Sequence, residues 1–152
     1  MHYRLSDVAE VAGLAHGSAR VMRHRGQLGI ARYAHRLSLT DACIIVLTGR
    51  LTDLLGMPAA AAARIASQAR AIIAEVAGRW DRGGDDDTFL VFFTLPGGIW
   101  CEPAHGRMEY HALLDVMTAQ SEHEPRLSLN LSNLVMTTAG VLKKKEKHEH
   151  AH

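Results

Sequence analysis

Lysine is missing from the first 142 residues of this 152-residue chain. Every earlier side-chain cation apart from histidine is therefore an arginine, whose planar fork suits bidentate contact with guanine or phosphate. Cysteine is nearly absent as well. Cys43 and Cys101 are too few and too far apart for a disulfide framework. No secretory signal stands ahead of the first helical pattern, and no apolar run is long enough to span a bilayer. These absences lead us to expect a cytoplasmic, nucleoid-associated protein with no membrane partner. Catalytic signatures are missing too. No nucleophile elbow or phosphate-cradling glycine loop frames a Ser/His/Asp set, and Gly97-Gly98 reads as a turn. Asp85–Asp87, in a glycine-rich acidic run, reads as a linker. The expectation is a non-enzyme without a cofactor.

What is present is organised around residues 5–24, LSDVAEVAGLAHGSARVMRH. Ser6 is a good N-cap for a first helix, and Gly13 tolerates the left-handed conformation that ends one. A second helix from about His16 to Arg25 then turns Ala19 and Met22 inward, with Val8, Ala9, Ala12 and Leu14 facing them. The same helix presents His16, Ser18, Arg20, Arg23, His24 and Arg25 outward, as a recognition helix for the major groove would. Residues 1–40 carry six arginines against Asp7 and Glu10 alone, so this quarter is a basic surface on a more neutral body. Glycines at 26 and 29 break the helical pattern. Residues 30–39 read as a hairpin or wing whose Arg32, Tyr33 and Arg36 lie along a phosphate backbone.

Farther on, Ser38 or Thr40 caps an apolar helix over 41–55, which Gly56 ends. Pro58 opens another helix that runs to about Trp80. Its stripe of Ile65, Ala69, Ile72, Ile73 and Val76 is either core or a dimer seam. Beyond the acidic run the pattern becomes strand-like. Residues 88–95 and 99–101 form a hairpin about Pro96-Gly97-Gly98. A helix over 110–120 buries Leu113, Leu114 and Met117, residues 126–130 make another strand, and Asn130 or Ser132 caps a last helix. Phe89, Phe92, Phe93 and Trp100 read as the core of this half. The fold class is α+β: a mainly α winged helix-turn-helix over 1–80, a linker over 81–87, a small α+β module over 88–145 for dimerisation or sensing, and a His-rich tail over 146–152. Cys101, His105 and His111 form the one Cys/His group with plausible ligand spacing, a weak candidate metal set. Any small-molecule or metal effector would act through this module.

Tyr3-Arg4-Leu5, Val8-Ala9 with Gly13, Ser18-Ala19-Arg20, and Arg36-Leu37-Ser38-Leu39-Thr40-Asp41 together resemble the MerR-type winged helix-turn-helix across residues 3–77. The resemblance implies Arg20 and Arg23 in the major groove and Arg32 and Arg36 on phosphates. Val21-Met22 stands where that family has an aromatic pair, and a compact module replaces its long coiled-coil helix. The layout is similar to small phage and prophage regulators, excisionases and terminase small subunits. The function expected is sequence-specific binding of double-stranded DNA by a homodimeric repressor. An architectural DNA-binding protein and an interaction adaptor that never touches DNA are the alternatives.

Overall fold

The computed structural model describes residues 2–32, 36–84, 86–119 and 124–149. Among them the chain forms seven helices and one three-stranded sheet, an α+β architecture whose N-terminal half is helical. The first helix, α1 (Leu5–Val11), starts one residue before Ser6. Arg4 occupies the N-cap position, and the Ser6 hydroxyl turns to Asp7 at 3.4 Å instead of capping. Gly13, at φ 70°, turns the chain as its lack of a side chain allows. The second helix, α2 (His16–His24), follows.

The next helix, α3 (Leu39–Leu55), is built as the sequence predicts. Ser38 accepts from the Asp41 N–H, and the Asp41 carboxylate accepts from the Ser38 N–H, a closed capping box. Gly56, at φ 63°, ends it in the left-handed conformation. Its residues 42–49 are all buried, as expected of a helix that is apolar on most sides. Burial pushes the Cys43 thiol up to about 12, so it is an inert core residue. Burial works against the Asp41 charge, but hydrogen bonds from Ser38 and the guanidinium of Arg70 outweigh it and hold the carboxyl below its ordinary value. A carboxyl with a depressed folded-state value stabilises above its unfolded value and loses that contribution as pH falls through the folded one. Ser38→Ala should therefore cost about 1 kcal/mol near neutrality. It should also flatten the loss of stability on acidification, and urea unfolding at neutral and acidic pH checks both.

The run from Pro58 to Trp80 does not form the single helix that its composition predicts. It divides at Ala69 into α4 (Ala59–Gln68) and α5 (Arg70–Asp81). The break has a tertiary cause. The Ser67 hydroxyl lies 2.7 Å from the Ala63 carbonyl and 3.0 Å from the Gly29 carbonyl, a back-bonded arrangement that bends helices. Arg70 reaches Asp41 at 2.9 Å. Ile65, Ala69, Ile73 and Val76 are buried within this chain, so the stripe serves the core here.

Strands β1 (Thr88–Leu95) and β2 (Gly98–His105) make the expected hairpin, with β2 longer than residues 99–101. The third, β3 (Glu124–Asn130), pairs antiparallel on the other side of β1, giving the order β2-β1-β3. Pro103 in β2 sits on an edge strand, where its missing N–H is tolerated. Helix α6 (Gly106–Ala119) lies over the sheet but has no fully buried residue. Leu113, Leu114 and Met117 are only half-buried, against the expectation, because α6 covers the sheet loosely. The last helix, α7 (Leu131–Glu149), is capped by Asn130, whose Oδ1 accepts from the Asn133 N–H at 2.9 Å.

One apolar cluster gathers α3, α4, α5, β1, β3 and α7, with Ile44, Leu47, Ile73, Phe92 and Leu134 among its buried members. A second joins α1, α2 and α3 and takes in Leu142 from α7. Packing therefore runs across residues 81–87. The last two residues of that acidic segment are tied down: the Asp86 carbonyl accepts from Ser132, and the Asp87 carboxylate accepts from Asn130.

Candidate nucleic-acid interface

The site is built on the α1–α2 pair. Val8, Ala9 and Ala19 are completely buried where the two helices meet, and Leu14 and Met22 pack at the margin of the same cluster. This inner set is the one the sequence predicts. The pair is seated on α3 at Gly49, where a β-carbon would stand 3.0 Å from the Ala12 carbonyl oxygen. With its inner face fixed, α2 can expose only one side to solvent.

That side carries Gly17, Ser18, Arg20, Val21, His24 and Arg25. No side chain caps its N-terminus at Ala15, and its first turn holds no acid. Such a helix start carries the positive end of the helix dipole, an arrangement that favours anions. Arg23 and His24 occupy the last turn, where cations oppose the negative end of the dipole. Arg23 departs from expectation: it is half-buried, with its Nε shut away from solvent, and so belongs partly to the packing. The side chain of His16 lies outside the described residues, as does all of Tyr33.

Arg32 is brought to the end of α2. Its Nη2 lies 3.5 Å from where a β-carbon on Gly26 would stand, so the guanidinium folds back over the turn that closes the helix. Arg36 is placed elsewhere. It lines a cleft of about 250 Å³ with His2, Arg4, Asp7 and Glu146. Arg4 is thus a neighbour of Arg36 that sequence reasoning did not single out. The two are brought together by the pairing of Tyr3 with Leu37, whose N–H and carbonyl groups exchange bonds at 2.8 and 3.0 Å and which no spacing in the sequence announces. That single bridge is the only β-structure among the described residues of 30–39, so the hairpin expected there is not formed by residues 30–32 and 36–38. Residues 33–35 lie outside the description.

The candidate metal set is not assembled. Cys101 sits in β2 opposite Phe92, His105 ends that strand, and His111 lies on α6 with its ring 5.4 Å from Tyr110. Among the described residues no three His, Cys, Asp or Glu side chains converge on a metal position. Burial, and then the Glu102 carboxylate beside it, push the Cys101 thiol up, away from the thiolate that a metal requires. Of the aromatic group, Phe92 and Phe93 are core, Phe89 stacks on Tyr110 at 4.5 Å, and Trp100 is 53% exposed. Trp100 thus falls outside the core it was expected to join.

No protein-family model matches the chain, and no curated protein matches it. No described helix is long and apolar enough to cross a membrane.

Proposed function

We propose that the α1–α2 pair is a helix-turn-helix that docks α2 in the major groove of double-stranded DNA, and that the protein is a homodimeric transcriptional repressor. The observation that carries this reading is the exposed side of α2. Ser18, Arg20, His24 and Arg25 share it with an uncapped, acid-free helix start, while Ala19 and Met22 anchor the opposite side. Arginine at such a position reads guanine through O6 and N7, and the serine and the helix start take phosphate. Arg32 extends the basic surface past the end of α2. Arg36 and Arg4 stand beside Tyr3 in a cleft shared with Asp7 and Glu146, and the resemblance to MerR-type proteins assigns Arg36 to phosphate. A wing is what the resemblance to MerR-type proteins implies, and residues 30–32 and 36–38 do not form it.

A single nine-residue helix offers few base contacts, so selectivity requires two copies on paired half-sites. With the stripe on α4 and α5 buried inside each chain, the open edge of β2 beside Trp100 is the seam this reading favours. A phage-type architectural role would use the same surface without sequence preference. An adaptor role would not use its charge.

Arg20→Ala separates these readings. It should weaken binding to a preferred site by about 1–3 kcal/mol, roughly fivefold to 150-fold, and relax base preference at one position per half-site. Fluorescence anisotropy with a labelled duplex reads this directly. If Arg20→Ala and Arg25→Ala together leave activity in cells unchanged, the adaptor reading replaces this one.

A further inference from the structure

We propose that the cavity between α5 and the N-terminal end of α7 binds a small organic cation with an apolar body, for which an arylalkylamine is the simplest representative. The cavity measures about 490 Å³, within the ~300–1,000 Å³ typical of small-molecule sites. Val76, Trp80 and Met136 supply its apolar wall, and Asp86 and Asp87 stand among its polar groups. An aromatic wall beside carboxylates is the chemistry that holds an ammonium group carrying a hydrophobic substituent.

The balance of charge selects a cation over an anion. Among the described residues Arg79 is the one basic residue lining the cavity, against the two carboxylates of Asp86 and Asp87. Its Nε lies 3.9 Å from Glu75, and its Nη2 donates to the Thr88 hydroxyl at 2.6 Å. Asp87 is also engaged, by Asn130 at 2.9 Å and by Arg107 at 3.7 Å. The Asp86 carboxylate has neither an ion pair nor a hydrogen bond among the described residues. Two carboxylates outnumber the one guanidinium of the described lining, so its balance of charge is negative. Trp80 already carries one cation over its ring: Lys143 Nζ stands 4.1 Å from the ring centroid and lines a separate neighbouring cleft.

The rim is held in place before any ligand arrives. The Ser132 hydroxyl accepts from the Thr88 N–H at 3.0 Å and donates to the Asp86 carbonyl at 2.8 Å. The Gly84 N–H donates to the Arg79 carbonyl at 2.9 Å. A pre-formed rim lowers the ordering cost of binding. None of this rests on the DNA-binding reading.

Trp100→Phe leaves Trp80 as the sole tryptophan and makes its emission a reporter of the cavity. The full chain carrying that change is titrated with 2-phenylethylamine, and in parallel with phenylacetate at matched ionic strength. The amine is expected to change Trp80 emission saturably, with half-saturation near or below about 1 mM for a ligand of this size. Adding Asp86→Asn should raise that concentration about tenfold, the loss expected for removing one charged partner, while circular dichroism stays unchanged. Phenylacetate should give no saturable change. The proposal is overturned by a flat response to the amine, by an equal response to phenylacetate, or by undiminished amine binding in Asp86→Asn.

Discussion

Gly29→Ala is expected to lower the free energy of unfolding by about 2–5 kcal/mol, from two causes that add. Gly29 sits at φ 69°, and holding an L-residue there costs roughly 1–2 kcal/mol. The added β-carbon would also stand 2.8 Å from Ile44 Cγ2, 2.9 Å from the Ala63 carbonyl oxygen and 2.9 Å from Ser67 Oγ. Ile44 is buried and the Ala63 carbonyl is helix backbone, so neither yields cheaply, and overpacking of this kind costs about 1–3 kcal/mol. The Gly29 carbonyl is moreover the acceptor that ties Ser67 and Arg70 to the segment after α2. Gly13→Ala is the control. It has the same backbone sign at φ 70° but nothing within 4 Å of the new carbon, so it should lose only the ~1–2 kcal/mol of conformation. Urea unfolding of the two variants should separate them. Equal losses would mean that the contact of Gly29 with α3 and α4 is not made.

Phe92→Ala is expected to cost about 3–5 kcal/mol, the range for emptying a large buried aromatic site. Phe92 is completely buried at the centre of β1, in a cluster shared with α3, α4, α5 and α7. Because that cluster joins both halves of the sequence, the loss should appear as one cooperative transition moved to lower temperature. Calorimetry decides: a C-terminal transition that shifts alone, with a helical N-terminal transition left in place, would show that the halves unfold independently. Trp100→Ala, at an exposed position on the same hairpin, should change stability by about 0.5 kcal/mol or less.

Features set by local chemistry were legible in the sequence. Ser38 or Thr40 ahead of an apolar run marks a helix start, Gly13 and Gly56 mark helix ends, and Pro96-Gly97 between two strand-like runs marks a hairpin. The inner set Val8, Ala9, Ala19 could be read from helical spacing. Features set at long range could not. The break at Ala69 depends on Ser67 and Arg70 reaching Gly29 and Asp41, more than 25 residues away, and an Ala-rich run gives no hint of it. The half-burial of Arg23 on an otherwise exposed side likewise comes from neighbours that spacing does not reveal. The reach of α7 back to α1, sealed by Lys145 on Glu10 at 2.6 Å and by Leu142 in the N-terminal cluster, joins positions 135 residues apart. The sequence offers both Asn130 and Ser132 as caps. Asn130 caps α7, while Ser132 holds the acidic loop that helps form the cavity.

The measurement that bears most directly on the account is binding of the purified protein to DNA from upstream of its own coding sequence, titrated against salt and against unrelated DNA. If α2 is a recognition helix, affinity should fall linearly on a log–log plot with a slope of about −0.9 for each phosphate neutralised. It should also favour the upstream DNA by about 10³-fold or more at moderate salt. Absence of binding at low salt would contradict the account and leave the exposed arginines of α2 to a protein partner.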